Sequence, residues 1–510
     1  MGVGEALVIG VDVGTYETKA VAVDAGGHVV ARARRSHQLT IPRPGWAEHD
    51  PESVWWDGLV DVVSQLLASP GVSADRVTGL GTCAIGPCVL PLDEAHQPLR
   101  DGILYGIDTR STEQIEALVA AVGADVLFER TLNPLTTQSA GPKILWIRDE
   151  EPDIYGAARL FVTAQTFLVG RLTGEWVIDH ATAGYYDPLY DPVGHRWATD
   201  LVDIVDEDRL PDLAWASEIA GVLSPAAADS LGLHAGTPVV VGTSDAPAAA
   251  LAAGCYESAN VMVMYGSSVF MIAVMDEARA HRKLWSAPFL FDGTHVLAGG
   301  MATAGTLTRW FVDLVAPDVS HHLHGAVFRD LEAAAASTPP GADGLIALPY
   351  FSGERTPIND PHARGLFFGL TLTHGRGHLY RALLEATAQG IRSNLDVFAE
   401  CGVTPEVIRA TGGGTQNAVW TQAVSDASGI GQEIVASEGA ALGAAFLAAL
   451  GTGLVSQPAD IHTWTVTTSR VEPDRSLQML YENQAHRTRT LYEATKSMMH
   501  DIAEEQGKSS

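Results

Sequence analysis

The sequence predicts an α/β protein built from two similar domains. Strand and helix patterns are mixed along the whole chain, and a β-hairpin with a glycine turn occurs twice, about half a chain apart. The chain has 510 residues, of which 46% are hydrophobic, enough for two large cores. Only 18% are charged, where about 25% is usual. This composition excludes an intrinsically disordered chain.

The N-terminal segment predicts an antiparallel meander. Residues 7–15 are a β-branched run that ends in Gly14-Thr15, and residues 19–23 resume the alternation after a short break. Residues 24–27 form a turn, and residues 28–33 supply a third strand.

The same hairpin pattern returns in the second half of the chain. Gly14 and Gly266 lie 252 residues apart, and so do Asp24 and Asp276. The common spacing favours an internal duplication over the alternative that any two β-hairpins look alike.

Further strands and helices lie between and after the two hairpins. Apolar residues at helical spacing predict helices over residues 53–68, 246–253, 379–398, 417–428 and 440–450. Short apolar runs predict strands over residues 76–83, 88–92, 238–243 and 407–411.

The charge balance limits the partners. The chain carries 32 basic and 61 acidic residues, a formal net charge of −29. Such a surface repels phosphate backbones and anionic lipid, so we expect neither nucleic-acid nor membrane binding. Four cysteines without a C-x-x-C pair, and no recognisable leader segment, predict a reducing, cytoplasmic location.

Four glycine-rich turns each follow a predicted strand. They are Asp12-Val-Gly-Thr15, Gly266-Ser-Ser268, Gly299-Gly300 with Gly305, and Gly412-Gly-Gly-Thr415. Glycine lets the backbone approach phosphate oxygens, and consecutive N–H groups form an anion-binding concavity. No Rossmann or Walker A pattern follows a strand. We therefore expect a divided phosphate clamp.

Two carboxylates occupy unusual positions. Asp12 interrupts an otherwise apolar strand, where a buried acid needs a cation such as hydrated Mg²⁺ as a partner. Asp245 follows a buried strand and begins a helix. It is either a helix N-cap or a general base that takes a proton from a hydroxyl group.

Several motifs resemble the FGGY family of carbohydrate kinases, which belongs to the sugar kinase, heat-shock and actin superfamily. Residues 365–370 and 378–385 are similar to the second family signature, and residues 143–147 to the first. The resemblance extends from residue 8 to about residue 450. It implies two RNase H-like, actin-like ATPase domains, residues 1–250 and 251–510, with a cleft between them. It also implies ATP-dependent phosphorylation of a ketose or polyol, and often a homodimer.

The resemblance assigns site residues as well. Asp245 would be the general base and Asp12 would hold Mg²⁺, directly or through water. Contacts to ATP are expected at Thr15, Lys19, Gly266, Ser267, Gly305, Gly413, Gly414 and Asn417. Contacts to the sugar are expected at Cys83, Ala84, Asp108 and Asp245. Buried packing is the alternative for Cys83, and a salt bridge with Arg110 is the alternative for Asp108.

The branch of the family that fits best is that of xylulose and other pentulose kinases. Residues 354–357, 45–46 and 108–110 resemble that branch, whereas residues 81–86 and Ala246 depart from it by removing hydrogen-bonding groups. A pentulose or a related polyol is therefore the expected substrate. A catalytically idle sugar- or nucleotide-responsive binding protein is the alternative. The presence of both Asp12 and Asp245 speaks against it, because a binding protein needs no base.

Overall fold

Two mixed sheets, each with its own helices, organise the chain. A computed structural model describes residues 6–316, 324–436 and 438–507. The strands are β1 (Leu7–Val13), β2 (Glu17–Asp24), β3 (Val29–Ser36), β4 (Glu48–His49), β5 (Val77–Ala84), β6 (Leu90–Leu92), β7 (Gly102–Ile103), β8 (Leu160–Val162), β9 (Val177–Asp179), β10 (Tyr190–Asp191), β11 (Arg196–Trp197), β12 (Asp212–Ala214), β13 (Ile219–Val222), β14 (Pro238–Val240), β15 (Thr243–Ser244), β16 (Val261–Tyr265), β17 (Val269–Met275), β18 (Trp285–Pro288), β19 (His295–Met301), β20 (Ile346–Leu348), β21 (Leu366–Phe368), β22 (Val407–Thr411), β23 (Gly431–Ala436) and β24 (Val466–Val471). The α-helices are α1 (Asp57–Leu67), α2 (Thr112–Val122), α3 (Ala124–Thr131), α4 (Ala140–Glu150), α5 (Pro152–Ala157), α6 (Ala164–Thr173), α7 (His180–Ala183), α8 (Pro225–Leu231), α9 (Asp245–Ala252), α10 (Gly305–Val315), α11 (His324–Ala336), α12 (Arg376–Glu400), α13 (Ala418–Ser428), α14 (Ala440–Gly451), α15 (Ile461–Trp464) and α16 (Gln478–Gly507).

The chain divides into two compact units. Unit 1 comprises Met1–Glu257, Val274–Val296 and Ser437–Val466, and unit 2 comprises Ser258–Ala273, Leu297–Ala436 and Thr467–Ser510. The first segment of unit 1 ends close to the boundary predicted at residue 250. Two later segments nevertheless belong to unit 1, because the chain returns to it.

The sheet of unit 1 places three parallel strand ends side by side. Its order is β13-β14-β5-β1-β2-β3, with β15 also paired to β5. β1 is antiparallel to β2 and parallel to β5, and β15 is parallel to β5. β2 and β3 complete the predicted meander. The carboxyl ends of β1, β5 and β15 therefore lie at one edge of the sheet.

Helix α14 covers this sheet at very short range. It packs against β1 and β5, where Gly10 and Gly81 face its backbone. A Cβ atom at Gly10 would lie 2.0 Å from the carbonyl oxygen of Ala441, and one at Gly81 would lie 2.2 Å from that of Ala444. Only glycine allows this approach, so the two glycines fix where α14 lies on the sheet.

The sheet of unit 2 repeats the central arrangement. β16 is antiparallel to β17 and parallel to β22, as β1 is to β2 and β5. The following strand, β23, is parallel to β22. The ends of β16 and β22 are therefore neighbours, and each is followed by a glycine turn. Within the described ranges, no helix is both long and apolar enough to cross a bilayer.

Candidate active site

Two carboxylates flank the end of β5 in unit 1. Asp12 on β1 is in register with Cys83 on β5, and Thr243 on β15 is in register with the same Cys83 from the other side. Asp245 follows β15 directly as the first residue of α9. The two acids are thus brought to one edge of the sheet by strand pairing.

Burial and mutual repulsion bring both acids close to neutrality. Burial and, to a smaller extent, the charge of Asp12 together raise the pKa of Asp245 from 3.8 to about 7, against the lowering effect of the Ala246 and Asp245 backbone N–H groups. Burial likewise raises the pKa of Asp12 to about 6, although Lys19 and a hydrogen bond from the Cys83 thiol, at 3.8 Å, lower it. Asp245 can therefore accept or release a proton near pH 7.

Asp245 is not the N-cap of α9, because the cap position is Ser244 and no side chain caps the helix. The carboxylate of Asp245 bonds instead to the backbone N–H groups of Asp245 and Ala246 in the first turn. Those donors lower its pKa but do not outweigh burial. The N-cap alternative for Asp245 is therefore wrong, and the role of general base stays a prediction.

The turn after β1 brings Thr15 close to Asp12. The Gly14 N–H donates to the carbonyl oxygen of Glu17 at 3.0 Å, which closes the turn. The carbonyl oxygen of Thr15 accepts from Nε2 of His49 at 3.1 Å. Lys19 lies opposite Asp12 on β2, but its Nζ pairs with Glu17 at 3.4 Å and about half of its side chain is exposed. Thr15 and Lys19 both lie beside the acid pair.

Sequence analysis missed two polar residues of this region. The Tyr105 hydroxyl lies 3.2 Å from Oγ1 of Thr15, and its pKa is raised by burial and also by the charge of Asp245. Gln138 accepts from the Gly106 N–H at 3.0 Å and donates to the Gly86 carbonyl oxygen at 3.3 Å. Both lie in connecting segments, where no periodic pattern marks them. Only the position of Tyr105, three residues before Asp108, could have drawn attention to it.

Three of the expected sugar contacts are buried. Cys83 and Ala84 have no exposed surface, so the structure favours packing under the site for both. Asp108 is also fully buried, and its carboxylate accepts from Arg110 at 2.7–3.0 Å and from the Ala47 N–H at 2.7 Å. Asp108 thus forms the salt bridge with Arg110 that was the alternative to a sugar contact.

The first glycine turn of unit 2 lies against the start of α10. The N–H groups of Gly305 and of Ala304 donate to Gly266 and Ser267 respectively, at 3.1 and 3.0 Å, and the Thr306 N–H also donates to Ser267. A Cβ atom at Gly305 would lie 2.4 Å from the Gly266 carbonyl oxygen. The predicted residues Gly266, Ser267 and Gly305 therefore form one continuous backbone surface.

The second glycine turn of unit 2 follows the neighbouring strand β22. A Cβ atom at Gly412 would lie 2.6 Å from the carbonyl oxygen of Tyr265, and one at Gly414 would lie 2.5 Å from the ring of Trp420. Gly413 is exposed and has open space around it. The two turns are therefore adjacent, because Tyr265 immediately precedes Gly266.

Asn417 ends this turn and begins α13. Its Oδ1 accepts from the Trp420 N–H at 3.0 Å, so it is the N-cap of the helix. Its amide nitrogen lies 3.5 Å from the Tyr380 hydroxyl. All six residues predicted in unit 2 thus lie around the ends of two adjacent strands.

Comparisons with known proteins agree with this architecture. The model of the FGGY family of carbohydrate kinases, N-terminal domain, matches residues 7–252, and that of the C-terminal domain matches residues 261–452. A crystal structure of xylulose kinase from Rhodospirillum rubrum has 33% sequence identity and a TM-score of 0.90, and covers 97% of this chain and 100% of that chain.

Curated relatives cover most of the chain as well. Xylulose kinase from Escherichia coli is 29% identical over 504 residues, which are 97% of this chain and 100% of the relative. Gluconokinase from Bacillus subtilis is 27% identical over 458 residues, 88% of each chain. With both domain models matched in order and two α/β units carrying their own glycine turns, the chain is a member of the FGGY family of carbohydrate kinases.

Proposed function

We propose that this kinase transfers the γ-phosphate of ATP to a hydroxyl group of a pentulose of the xylulose or ribulose type, with Asp245 as the general base. The observation that carries the proposal is the half-buried Asp245 carboxylate at the end of β15, whose pKa of about 7 matches that of a base at neutral pH. The pentulose is supported by relatives that are themselves named xylulose kinase.

Phosphoryl transfer requires the protein mainly to position the reactants and to stabilise negative charge. Phosphoryl transfer passes through a loose transition state, so catalysis depends on holding the acceptor hydroxyl in line and on stabilising charge. Asp245 accepts the hydroxyl proton as the new oxygen–phosphorus bond forms. This carboxylate is held in place because Asp245 is the first residue of α9 and directly follows β15, which pairs with β5.

The residues around Asp12 fit a magnesium ion. Two carboxylates repel each other here, since the charge of Asp12 raises the pKa of Asp245. Among the described residues no group of three His, Cys, Asp or Glu side chains could hold a metal, but Mg²⁺ commonly uses one or two carboxylates with water and substrate phosphates. Asp12 would hold it, and the bound ion would neutralise charge on the transferred phosphoryl group.

The backbone surfaces of unit 2 suit the nucleotide. The overall charge of the chain is −29, so phosphate oxygens need local N–H donors rather than a cationic field. We assign that role to Ser267, because the N–H groups of Gly266 and Gly305 already donate to backbone carbonyl oxygens. Gly266 and Gly305 shape this turn beside the nucleotide, and Gly413, Gly414 and Asn417 are further proposed nucleotide contacts. In unit 1, Thr15 and Lys19 complete the phosphate contacts.

The sugar contacts differ from those expected. Cys83 and Ala84 are buried and Ala246 offers no hydrogen-bonding side chain, so Tyr105 and Gln138 are the polar side chains that we assign to substrate recognition. A site that forms a hydrogen bond to a substrate hydroxyl group strongly rejects substrates that lack this hydroxyl group. We therefore expect a clear preference among ketoses and polyols.

A coupled assay of ADP release over a panel of ketoses, polyols and aldonates tests the proposal. A pentulose should give the highest kcat/KM. A preference for gluconate or glycerol would contradict the pentulose, while leaving the kinase activity intact. If no compound stimulated ADP release, the idle binding protein would be the better account.

Location and assembly complete the proposal. All four cysteines are buried and none forms a disulfide bond within the described residues, as in proteins of a reducing compartment. We therefore place the kinase in the cytoplasm. The homodimer is proposed from the family resemblance alone, and light scattering of the purified protein tests it.

A further inference from the structure

A buried acid that no sequence pattern singled out lies next to β15, the strand that immediately precedes Asp245. Asp179, the last residue of β9, is 1% exposed. Its Oδ2 accepts from the Thr243 hydroxyl at 2.7 Å and from the Thr182 N–H at 3.2 Å. It therefore joins the short helix α7 to β15.

Helix capping explains only half of this arrangement. Asp179 is the N-cap of α7, which accounts for its bond to the Thr182 N–H. A serine would cap the helix equally well without placing a carboxylate in the interior. The bond to Thr243 is not part of any cap, and it requires an acceptor that reaches past the helix.

The same turn also holds the next residue of β15. Oγ1 of Thr182 accepts from the Ser244 N–H at 3.1 Å. Thr243 and Ser244 are held on their other side by β5, opposite Cys83 and Ala84. The two residues immediately before Asp245 are therefore fixed from both sides.

We propose that Asp179 is a positioning residue that directs the Asp245 carboxylate by holding Thr243, an inference that rests on the proposed role of Asp245 as the base. A base in phosphoryl transfer must lie within hydrogen-bond reach of one particular hydroxyl group, and a displacement of about 1 Å can lower the rate by about 10²-fold. Since Thr243 is only two residues from Asp245, freeing it changes where α9 begins.

The hydrogen bond between Asp179 and Thr243, which we call the Asp179 clamp, needs a hydrogen-bond acceptor at residue 179 rather than a negative charge. Oδ1 of Asp179 is buried and has no hydrogen-bond partner among the described residues, so both accepted bonds go to Oδ2. Burial raises the pKa of Asp179 to about 6, against the bonds from Thr182 and Thr243. An asparagine can accept the same two bonds through its own oxygen.

Substitutions at both ends of the Asp179–Thr243 bond test the clamp. Asp179→Ala and Thr243→Val should lower kcat by about 10- to 100-fold, with KM for sugar and ATP changed by less than about threefold. Asp179→Asn and Thr243→Ser keep the bond and should retain kcat within about threefold. The double variant Asp179→Ala/Thr243→Val should be no slower than Asp179→Ala, because both remove one interaction.

A buried threonine elsewhere in unit 1 supplies the control. Thr131 is fully buried and its hydroxyl donates to the carbonyl oxygens of Leu127 and Asn133. Thr131→Val should lower Tm without changing kcat. If Asp179→Ala and Thr243→Val behave in the same way, Asp179 is only a cap and the inference is wrong. If Asp179→Asn is as slow as Asp179→Ala, the charge matters and the positioning role is also wrong.

Hydrogen exchange tests the clamp without any turnover. The amides of residues 243–246 should exchange faster in Asp179→Ala than in the wild type and in Asp179→Asn. Unchanged exchange in Asp179→Ala would overturn the inference. If Asp245→Asn keeps full activity, the proposed function fails instead, and the exchange comparison still decides whether Asp179 holds this segment.

Discussion

The two units prepare their sites by opposite means. In unit 1, strand pairing brings together carboxylates that burial leaves poorly satisfied, and Asp12 and Asp245 have pKa values of about 6 and about 7. In unit 2, the predicted nucleotide residues are mostly glycines whose N–H groups and carbonyl oxygens bond to each other. One site depends on titratable side chains and the other on the backbone, so substitutions should separate chemistry from nucleotide binding.

The largest effect is expected at Asp245. Asp245→Asn removes the proton acceptor and should lower kcat by about 10²-fold or more. ATP affinity should be unchanged, because Asp245 is not among the residues assigned to the nucleotide. Steady-state kinetics and a separate nucleotide-binding titration measure the two quantities. A loss of ATP affinity equal to the loss of kcat would contradict the division between the units.

The opposite pattern is expected at Gly305. In Gly305→Ala the new Cβ would lie 2.4 Å from the Gly266 carbonyl oxygen, so the two nucleotide segments must move apart. KM for ATP should rise roughly tenfold or more, which corresponds to about 1.4 kcal/mol of binding.

Gly375→Ala is the matched control for Gly305→Ala. Gly375 is also at a helix start in unit 2, but a Cβ atom there would have no atom within 4 Å. It should leave KM for ATP unchanged. An equal rise in both variants would show that glycine flexibility in general, rather than this close approach, matters for nucleotide binding.

The pH dependence of kcat/KM should report the acid pair of unit 1. The ionised form of Asp245 is the active one, so kcat/KM for the sugar should rise with pH through about 7. In the metal-free protein the charge of Asp12 raises the pKa of Asp245, so Asp12→Asn should lower the pKa of Asp245. A carboxyl NMR titration of the metal-free wild type and Asp12→Asn between pH 5 and 9 checks the direction. An unchanged or higher pKa of Asp245 in Asp12→Asn would mean that the charge of Asp12 does not act on Asp245.

These comparisons also show what the sequence can reveal. Asp12 stands out because it interrupts an apolar strand, and the glycine turns stand out because they follow strands; both signals are local. Asp179 and Tyr105 gave no such signal, because their importance comes from contacts with residues 64 and 90 positions away. The burial of Asp108 depends on Arg110 and Ala47 packing around it.

The same distinction between local patterns and distant contacts holds for the prediction of the fold. The hairpins and α14 were predicted from apolar patterns that a short window contains. The packing of α14 on the sheet of unit 1 was not predicted. It depends on contacts of Gly10 and Gly81 with a helix that lies more than 350 residues further along the chain. A single glycine in a strand does not reveal which backbone approaches it.

The smallest effect is expected at an acid of unit 2 that is fully satisfied. Asp360 accepts from the Tyr492 hydroxyl at 2.6 Å, from His500 at 2.8 Å and from the His362 N–H at 2.9 Å. Burial alone would raise its pKa, but the bonds from His500 and Tyr492 lower it to about 2. Its contribution to stability is therefore present above pH 3.8 and lost as pH falls through about 2.

Asp360→Asn should lower the free energy of unfolding at pH 7 by about 1–3 kcal/mol, as for a hydrogen-bonded charge, without changing kcat. The difference from wild type should shrink between pH 4 and pH 2, as denaturant unfolding at several pH values would show. A difference that is constant over this range would mean that the charge of Asp360 does not contribute.

The chemical step itself tests the central claim most directly. In a single-turnover experiment with excess enzyme, ATP already bound and sugar added at pH 7.5, wild type and Asp245→Asn report phosphoryl transfer without product release. We predict that sugar phosphate forms at least about 10²-fold more slowly in Asp245→Asn, with the same amount of ATP bound. Equal rates of sugar phosphate formation in the two proteins would contradict the role of Asp245 as the base.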